Sequence, residues 1–318
     1  MTTKQEPIHS GYGAETTARD VLDGRRLAGA IAVVTGGYTG VGLETTRALA
    51  AAGATVVVPA RTPGKASAAL AGMDGVELES LDLGDPASID AFAARFVASG
   101  LPLHMLVNNA GIMATPLVRD ARGFESQLAT NHIGHFQLTL RLWPALRRAD
   151  GARVVSLSSR GHARSPVDFD DPHFERRPYD KWLAYGQSKT ANALFALALD
   201  ARGEAHHVRA FSVHPGAIAT TDLMRSMSEE ERRAAIAAAT GVSSFKNEEQ
   251  GAATSVWCAT SAQLDGRGGV YCEDVDIAEA VPADFAGLRG VRPWAADPDL
   301  AERLWVLTEA WTGLTLRT

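Results

Sequence analysis

Tyr185 and Lys189 are spaced so that their side chains could act together in proton transfer. Residues four apart on a helix lie on the same face. A phenol with a reference pKa of about 10 is a weak acid–base group at neutral pH, and a neighbouring ammonium would lower that pKa. Such a pair also arises often by chance, so its meaning depends on the motifs around it.

Two serines, Ser158 and Ser159, follow an apolar run and place hydroxyl groups at the predicted end of a strand. A hydroxyl in this position could hydrogen-bond the oxygen of a reacting carbonyl or alcohol. We assign this role to Ser159 and keep Ser158 as the alternative. Taken alone, both residues are ordinary polar groups at the end of a strand.

A glycine-rich turn, TGGYTGVG at residues 35–42, joins the first apolar run to a helical stretch. Gly36 permits the tight turn, Gly40 lets the backbone approach a pyrophosphate, and Gly42 lets the helix pack closely on the strand. The helix N-terminus then offers free N–H groups to phosphate. The spacing differs from G-x-G-x-x-G, so an ordinary strand–helix turn is the alternative. Its position between strand and helix favours a dinucleotide site.

The end of the second predicted strand indicates which dinucleotide binds. A carboxylate there would bind the ribose 2′-hydroxyl and favour NAD. The chain has Pro59, Ala60 and Arg61 instead, and a guanidinium suits a 2′-phosphate. We therefore predict NADP(H), with NAD(H) as the alternative cofactor if Arg61 is only a solvated surface residue.

Taken together, these motifs resemble those of the short-chain dehydrogenases/reductases, a family of Rossmann-fold oxidoreductases. The motifs that match in order and spacing are residues 35–42, NNAG at 108–111, Asn131, Ser159, YGQSK at 185–189 and HPG at 214–216. The sequence NHIGHF at residues 131–136 is similar to the retinol-dehydrogenase-like and WW-domain-oxidoreductase-like branch, as is the long gap between Ser159 and Tyr185. The similarity extends over about residues 28–275.

The resemblance implies hydride transfer between a nicotinamide cofactor and a carbonyl carbon. The alkoxide that results needs a proton, which Tyr185 would supply, and oxidised nicotinamide would favour its phenolate. Lys189 would also hydrogen-bond the nicotinamide ribose, and Asn131 would hold a water that relays protons to Lys189. The predicted catalytic residues are Asn131, Ser159, Tyr185 and Lys189.

The resemblance also implies a cofactor-binding set. Asp82 would contact the adenine. Asn108, Ala110 and Gly111 would line the cofactor and brace the sheet, and Pro215, Gly216 and Thr220 would hold the nicotinamide carboxamide. Besides Tyr185 and Lys189, the predicted set is Gly36, Tyr38, Thr39, Gly40, Val41, Arg61, Asp82, Leu83, Asn108, Ala110, Gly111, Pro215, Gly216, Ile218 and Thr220.

The elements that must position these residues alternate between strands and helices. Apolar or β-branched runs predict strands at residues 31–34, 55–58, 76–81, 103–107, 153–157, 208–213 and 269–272. Asp-Pro pairs at residues 85–86 and 297–298 are typical of helix N-termini. Continuous apolar strands between helices indicate an α/β fold, with a doubly wound parallel sheet of about seven strands in a single domain. We expect residues 1–28 to be an N-terminal extension and residues 29–318 to be the dinucleotide-binding and catalytic domain.

Composition excludes several function classes. The chain has 318 residues, 46% of them hydrophobic, and a net charge of −6, which argues against nucleic-acid binding. Two cysteines in a chain of this length indicate free thiols in a reducing cytosol. There is no apolar run of roughly 18 residues and no apolar signal core. We therefore expect a cytoplasmic protein with no membrane and no nucleic-acid partner.

Three other features have competing interpretations. His132 and His135 are three apart on a predicted helix, but no matching ligands accompany them, so we expect structural histidines and no metal site. An acidic stretch at residues 168–173 is read as a solvated loop rather than a cation site. Residues 191–199 are apolar almost all round, which predicts a homodimer or homotetramer through this helix or a covering segment from the chain itself.

Two inserts should act as lids over the substrate. Residues 160–184 carry the aromatic side chains Phe169, Phe174, Tyr179 and Trp182. Residues 221–245 carry Leu223, Met224 and Met227 before an alanine-rich helix. This content predicts a small hydrophobic carbonyl or alcohol substrate.

The sequence thus predicts an NADP(H)-dependent oxidoreductase that interconverts a hydrophobic ketone or aldehyde and its alcohol. The alternatives are a carbon–carbon double-bond reductase and a catalytically silent NADP(H)-binding regulatory protein.

Overall fold

The computed structural model describes residues 3–219, 222–240 and 245–316. These residues form one eight-stranded sheet with the strand order β3-β2-β1-β4-β5-β6-β7-β8. The strands are β1 (Ile31–Val34), β2 (Thr55–Ala60), β3 (Val76–Ser80), β4 (Met105–Asn108), β5 (Ala152–Leu157), β6 (Val208–His214), β7 (Val270–Glu273) and β8 (Asp276–Ile277). The first seven strands pair in parallel and β8 pairs antiparallel to β7.

Helices connect the strands and cover both faces of the sheet. They are α1 (Ala18–Val21), α2 (Gly40–Ala51), α3 (Pro63–Leu70), α4 (Pro86–Ala98), α5 (Ser126–Leu128), α6 (Gly134–Arg148), α7 (Lys181–Gly203), α8 (Glu229–Thr240), α9 (Glu248–Thr260) and α10 (Pro298–Thr312). A π-helical turn, Ala129–Ile133, joins α5 to α6, and a 3-10 turn, Arg160–Arg164, follows β5. Within the described ranges, no helix has the length and apolarity needed to cross a membrane.

The two faces of the sheet carry separate hydrophobic cores. In β1, Val33 belongs to the core that contains α4, α6, α7 and α10, whereas Ala32 and Val34 belong to the core that contains α1, α2 and α9. This alternation is what a strand buried on both faces requires. The prediction of a doubly wound α/β fold is confirmed, with eight strands where about seven were expected.

The additional strand is formed by a tight hairpin. Asp274 and Val275, at the turn between β7 and β8, have φ angles of 49° and 63°. Two consecutive residues with positive φ give the turn that joins antiparallel strands most closely. A strand of two residues has no detectable hydrophobic period, which explains why the sequence did not predict β8.

The described part of the N-terminal segment packs along this edge of the sheet. The Gln5 side chain donates to the carbonyls of Tyr271 (2.8 Å) and Ala278 (2.7 Å). The backbone N–H of Ile8 donates to the Asp276 carboxylate at 2.9 Å. These contacts tie the segment to both strands of the β7–β8 hairpin.

Helix α10 covers the apolar face of α7. Trp305 stacks on Phe195, with ring centroids 6.0 Å apart and planes 7° from parallel, and lies edge-on to Phe136 at 4.9 Å. Arg202 and Glu302 form an ion pair at 2.6 Å beside this contact. Of the two covers predicted for residues 191–199, the structure has the one from the chain itself, its C-terminal helix, and assembly into a homodimer or homotetramer stays a prediction.

Candidate active site

A cavity of about 1310 Å³ opens at the carboxyl ends of the parallel strands. Ligands bind at this edge in doubly wound folds. Of the predicted site residues, those that line it are Gly36, Tyr38, Thr39, Gly40, Val41, Arg61, Asp82, Leu83, Ala110, Gly111, Ser159, Tyr185, Lys189, Pro215, Gly216 and Ile218. Asn108 and Asn131 lie behind the cavity wall, and Thr220 lies outside the described residues.

The glycine-rich turn has the backbone geometry that the sequence predicted. Gly36 has a φ of 64°, a conformation that disfavours residues with a Cβ. A Cβ on Gly42 would lie 2.4 Å from the Asn109 side chain and from the Gly36 carbonyl, so helix and turn can approach this closely only at glycine. The hydroxyl of Thr39 donates to Asp222 at 2.9 Å rather than capping α2. The first N–H groups of α2 are thereby left to a ligand in the cavity.

Asn108, the last residue of β4, has only one of the two roles that were predicted for it. Asn108 is buried in the sheet, and its side chain donates to the Thr139 hydroxyl of α6 at 3.1 Å. It braces the sheet as expected but does not line the cofactor cavity, because the last residue of β4 points toward the helix layer. The neighbouring Asn109 lines the cavity and donates from its side chain to the Thr35 carbonyl at 2.7 Å.

A second cation accompanies Arg61 at the adenosine end of the cavity. Lys65, in the first half of α3, lines the same wall, and its Nζ lies 3.8 Å from Asp222 Oδ2. The sequence analysis missed Lys65. Its position could have indicated a role in the site, because Lys65 lies four residues after Arg61, in the first turn of a helix that begins at Pro63. Two cations therefore face the region where a 2′-phosphate would lie.

Tyr185 and Ser159 meet at the opposite end of the cavity. The Ser159 side chain lies close enough to the Tyr185 hydroxyl to favour the phenolate form. The N–H of Gly161 donates to Ser159 Oγ at 3.0 Å, and a Cβ on Gly161 would lie 2.8 Å from the Tyr185 ring. Ser158 is turned away, because its hydroxyl donates to the Lys189 carbonyl at 2.7 Å. The geometry thus favours Ser159 over Ser158 as the group that contacts a substrate oxygen.

Burial controls the ionisation of the catalytic pair in the cofactor-free protein. It raises the pKa of Tyr185 to about 12, and the nearby Ser159 side chain opposes this rise. It lowers the pKa of Lys189 to about 8. The ammonium donates to the Leu157 carbonyl at 2.9 Å and lies 5.6 Å from the Tyr185 ring centroid. The expected lowering of the phenol pKa by Lys189 is therefore outweighed by desolvation, and Tyr185 is a protonated donor at neutral pH.

The side chain of Asn131 is fully engaged by protein groups. Its Oδ1 accepts from the Ile112 N–H at 2.8 Å, and its Nδ2 donates to the Ile112 carbonyl at 3.0 Å and to Ser188 Oγ at 2.9 Å. Asn131 thus ties the loop after β4 to α7, next to Lys189. The amide is committed to these contacts and the main-chain carbonyl oxygen lies 2.9 Å from His135 Nδ1, so the water at Asn131 stays a prediction.

The remaining candidate residues have structural partners. His132 Nε2 lies 2.9 Å from the Thr308 hydroxyl, and burial lowers its pKa to about 3. The Asp171 carboxylate accepts the backbone N–H groups of Glu175, Arg176 and Arg177, so it organises the 168–179 loop from within. No group of three or more potential metal ligands occurs in the part of the chain that the structure describes.

Part of the cavity wall is apolar. The side chains that supply this surface are Met113, Trp182, Leu223, Met224, Ile236, Phe285 and Leu288. Of the four aromatic residues predicted for the first lid, Trp182 alone lines the cavity; Phe174, for example, is buried against Tyr179. The sequence analysis missed Phe285 and Leu288, which belong to a loop without a recognisable motif.

Comparisons with known proteins agree with this geometry. The sequence model of the short chain dehydrogenase family matches residues 30–232. The chain is 47% identical to a "Probable oxidoreductase" of Streptomyces lividans over 88% of this chain and 96% of the relative. It is 36% identical to Retinol dehydrogenase 12 of Mus musculus over 88% and 85% of the two chains. A solved structure from Mycobacterium Paratuberculosis is similar with a TM-score of 0.73 at 32% identity, over 96% of this chain and 100% of the other.

These findings confirm the sequence prediction, including the resemblance to the retinol-dehydrogenase-like branch. The matching region contains the glycine-rich turn, Ser159, Tyr185 and Lys189. The chain belongs to the short-chain dehydrogenase/reductase family of oxidoreductases.

Proposed function

We propose that this protein is an NADP(H)-dependent oxidoreductase that interconverts a hydrophobic ketone or aldehyde and its alcohol, with Tyr185 as general acid/base. The observation that carries the proposal is one cavity lined both by a dinucleotide-type turn and by Tyr185 and Ser159. A reacting carbonyl at the Tyr185 hydroxyl would then lie at the same end as the loop that contains Gly216.

The residues present fit a dinucleotide. The first turn of α2, which has no side-chain cap, suits a pyrophosphate, Arg61 and Lys65 suit a 2′-phosphate, and Asp82 lines the wall expected for adenine. When bound, the reduced cofactor would supply the hydride. Lys189, buried beside Tyr185, is placed to hydrogen-bond the nicotinamide ribose.

The chain's own residues account for the proton chemistry. Ser159 hydrogen-bonds the carbonyl oxygen of the substrate and stabilises the negative charge that develops on it. Tyr185 donates its phenolic proton to that oxygen, which becomes the alcohol hydroxyl, and is left as phenolate. The Lys189 ammonium stabilises the phenolate, and a proton from solvent restores the phenol. In the oxidation direction the same groups act in reverse, with phenolate as the base.

The pair of cations supports NADP(H) over NAD(H). Arg61 stands where a carboxylate would repel a 2′-phosphate, and Lys65 adds a second positive charge to the same wall. The Asp222 carboxylate, whose Oδ2 is 3.8 Å from Lys65 Nζ, weakens this preference because it competes with a 2′-phosphate for the ammonium. The cofactor would thus meet the Arg61 guanidinium and the Lys65 ammonium, which is shared with Asp222.

The apolar lining supports a hydrophobic substrate. Trp182 and Met224 come from the two inserts that we predicted as lids, and Phe285 comes from the loop after β8. Burial of apolar substrate surface against such side chains contributes roughly 25 cal/mol per Å². We therefore propose substrates whose carbonyl carries an alkyl, alkenyl or aryl group.

The test is a Tyr185→Phe variant assayed with NADPH on a panel of hydrophobic ketones, aldehydes and an enone. The variant removes only the hydroxyl, so turnover should fall by roughly 10²- to 10⁴-fold while NADPH binding is retained. Tyr12→Phe, at a tyrosine that is 40% exposed, is the matched control and should behave like wild type. Retention of more than about a third of wild-type turnover by Tyr185→Phe, with chemistry rate-limiting, would exclude the assigned role.

A further inference from the structure

His135 connects the cofactor turn to the catalytic segment through a buried imidazole. It is 1% exposed and lies one helical turn after Asn131. Its Nδ1 is 2.9 Å from the main-chain carbonyl oxygen of Asn131, and its Nε2 is 2.9 Å from Thr35 Oγ1. Thr35 opens the glycine-rich turn, and Asn131 holds the loop after β4 against α7.

The other partners of Thr35 determine which nitrogen carries the proton. Thr35 Oγ1 accepts the backbone N–H groups of Asn109 at 2.9 Å and Ala110 at 3.0 Å. A hydroxyl has two lone pairs and one proton, so after these two bonds it can only donate. Its nearest acceptor is His135 Nε2; the Val107 carbonyl is farther away, at 3.3 Å. Nε2 is therefore unprotonated.

The protonation of the other ring nitrogen, Nδ1, follows from that of Nε2. A neutral imidazole with an unprotonated Nε2 carries its hydrogen on Nδ1, which donates to the Asn131 carbonyl. Burial lowers the pKa of His135 to about 4, so the ring is neutral at physiological pH. The titratable groups that act on it are Lys189, from α7, and His132, from its own segment. One directed chain of hydrogen bonds thus runs from the Thr35 hydroxyl through His135 to Asn131.

The carbonyl that accepts this bond belongs to the π-helical turn Ala129–Ile133. Such turns are rare and occur frequently at functional sites. The Asn131 side chain in the same turn bonds Ile112 and Ser188, and Ser188 precedes Lys189 in α7. A shift of the Asn131 main chain would therefore move the neighbours of the catalytic lysine.

We infer that His135 is a positioning residue that holds the cofactor-binding turn and the Asn131–Lys189 segment in a fixed relative placement. It touches neither substrate nor cofactor and acts through the Thr35 hydroxyl and the Asn131 carbonyl. The inference rests on the proposed function for its catalytic readout, whereas its cofactor-binding readout is independent of turnover.

Two substitutions separate the two ends of the ring. In His135→Asn the amide nitrogen occupies the place of Nδ1, so the bond to Asn131 is kept and the bond to Thr35 is lost. In His135→Gln the amide reaches the place of Nε2, so the contact with Thr35 is kept and the bond to Asn131 is lost. His135→Phe loses both. His132→Gln is the matched control, because it changes an equally buried histidine that contacts α10 instead.

The measurements are the NADPH dissociation constant by fluorescence, kcat and its pH profile, and the melting temperature. A neutral hydrogen bond corresponds to roughly a 2- to 13-fold effect. His135→Asn should weaken NADPH binding by about that factor and keep the wild-type pH profile. His135→Gln should lower kcat by a similar factor and displace its pH profile, with NADPH affinity within about twofold of wild type. In a Thr35→Val background, His135→Asn should no longer affect NADPH binding.

The outcomes are distinct. If both variants and His132→Gln change the melting temperature alone, His135 is an ordinary core histidine and the inference is overturned. Identical effects of His135→Asn and His135→Gln on binding and turnover would also overturn it. If His135→Phe does not fold, His135→Asn and His135→Gln still test the inference. A wild-type protein that binds NADPH but reduces no carbonyl would refute the proposed function, while the binding arm would still test the Thr35–His135 link.

Discussion

Replacement of Lys189 by methionine should stabilise the fold while it destroys activity. Lys189 is 4% exposed, and a fall of its pKa from 10.5 to about 8 corresponds to about 3 kcal/mol of destabilisation at neutral pH. The lost hydrogen bond offsets about 1 kcal/mol of the gain. The Leu157 carbonyl is not left unsatisfied, because the Asn192 side chain also donates to it at 2.8 Å. We expect Lys189→Met to raise the free energy of unfolding by about 2 kcal/mol at pH 7.

The sign of the pH dependence makes this prediction specific. A lysine whose pKa is lower in the folded than in the unfolded state binds fewer protons when folded, so stability rises with pH between the two values. The advantage of Lys189→Met over wild type should therefore be full below about pH 8 and shrink as the pH approaches 10.5. Urea unfolding of the cofactor-free proteins at several pH values measures it, with Lys4→Met, at a lysine whose side chain is 82% exposed, as control.

The same variant should lose at least about 100-fold in turnover and bind NADPH more weakly, because Lys189 stabilises the Tyr185 phenolate and is placed to meet the nicotinamide ribose. A Lys189→Met protein that is less stable than wild type at pH 7 would refute the argument from burial. So would a stability difference that does not vary with pH. Unchanged NADPH affinity would refute the dual role.

Two further predictions concern the cofactor and the C-terminal helix. Arg61→Ala should reduce a wild-type preference for NADPH over NADH, which we expect to be at least about tenfold in kcat/KM, by weakening NADPH alone. Lys65→Ala should reduce the preference for NADPH less, by about two- to fivefold, because the Lys65 side chain is 71% exposed. The effects of both substitutions should shrink at high salt. Equal kcat/KM for NADPH and NADH in the wild-type protein would contradict the role of both cations. Trp305→Ala should cost about 3–5 kcal/mol in urea unfolding, whereas Val306→Ala, at a residue that is 55% exposed, should cost less than about 0.5 kcal/mol. Similar losses for Trp305→Ala and Val306→Ala would show that α10 does not bury the face of α7.

The parts of the fold that were predictable are those whose signal is local. Seven strands were recognisable as β-branched or apolar runs, and helices α4 and α10 as Asp-Pro starts, because each signal resides in a few consecutive residues. The cover that α10 places over α7 was not recognisable. Phe195 and Trp305 are 110 positions apart, and an apolar helix face is equally consistent with a second subunit or with the same chain.

In the site, too, the residues that could be predicted are those with a local signal in the sequence. Ser159, Tyr185 and Lys189 could be identified from order and spacing, since the motif fixes both the residue types and the elements that carry them. The sequence could not show whether Asn108 or Asn109 lines the cavity. That depends on where β4 ends, because neighbouring strand residues point in opposite directions. The predicted lowering of the Tyr185 pKa relied on Lys189 and an oxidised nicotinamide together. The rise that burial causes without cofactor could not be predicted, since the extent of burial is a property of the fold.

Burial of both members of the catalytic pair has a consequence for the direction of proton transfer. In the free protein, desolvation favours the neutral phenol of Tyr185 and lowers the pKa of Lys189 to about 8, so at neutral pH the phenol is protonated and Lys189 is still mostly ammonium. A developing alkoxide beside Ser159 supplies the acceptor that makes loss of the phenol proton favourable. For alcohol oxidation the phenolate must form first, which needs positive charge close by, and Lys189 and an oxidised nicotinamide are its two sources. We therefore expect kcat for alcohol oxidation to rise with pH more steeply than kcat for carbonyl reduction.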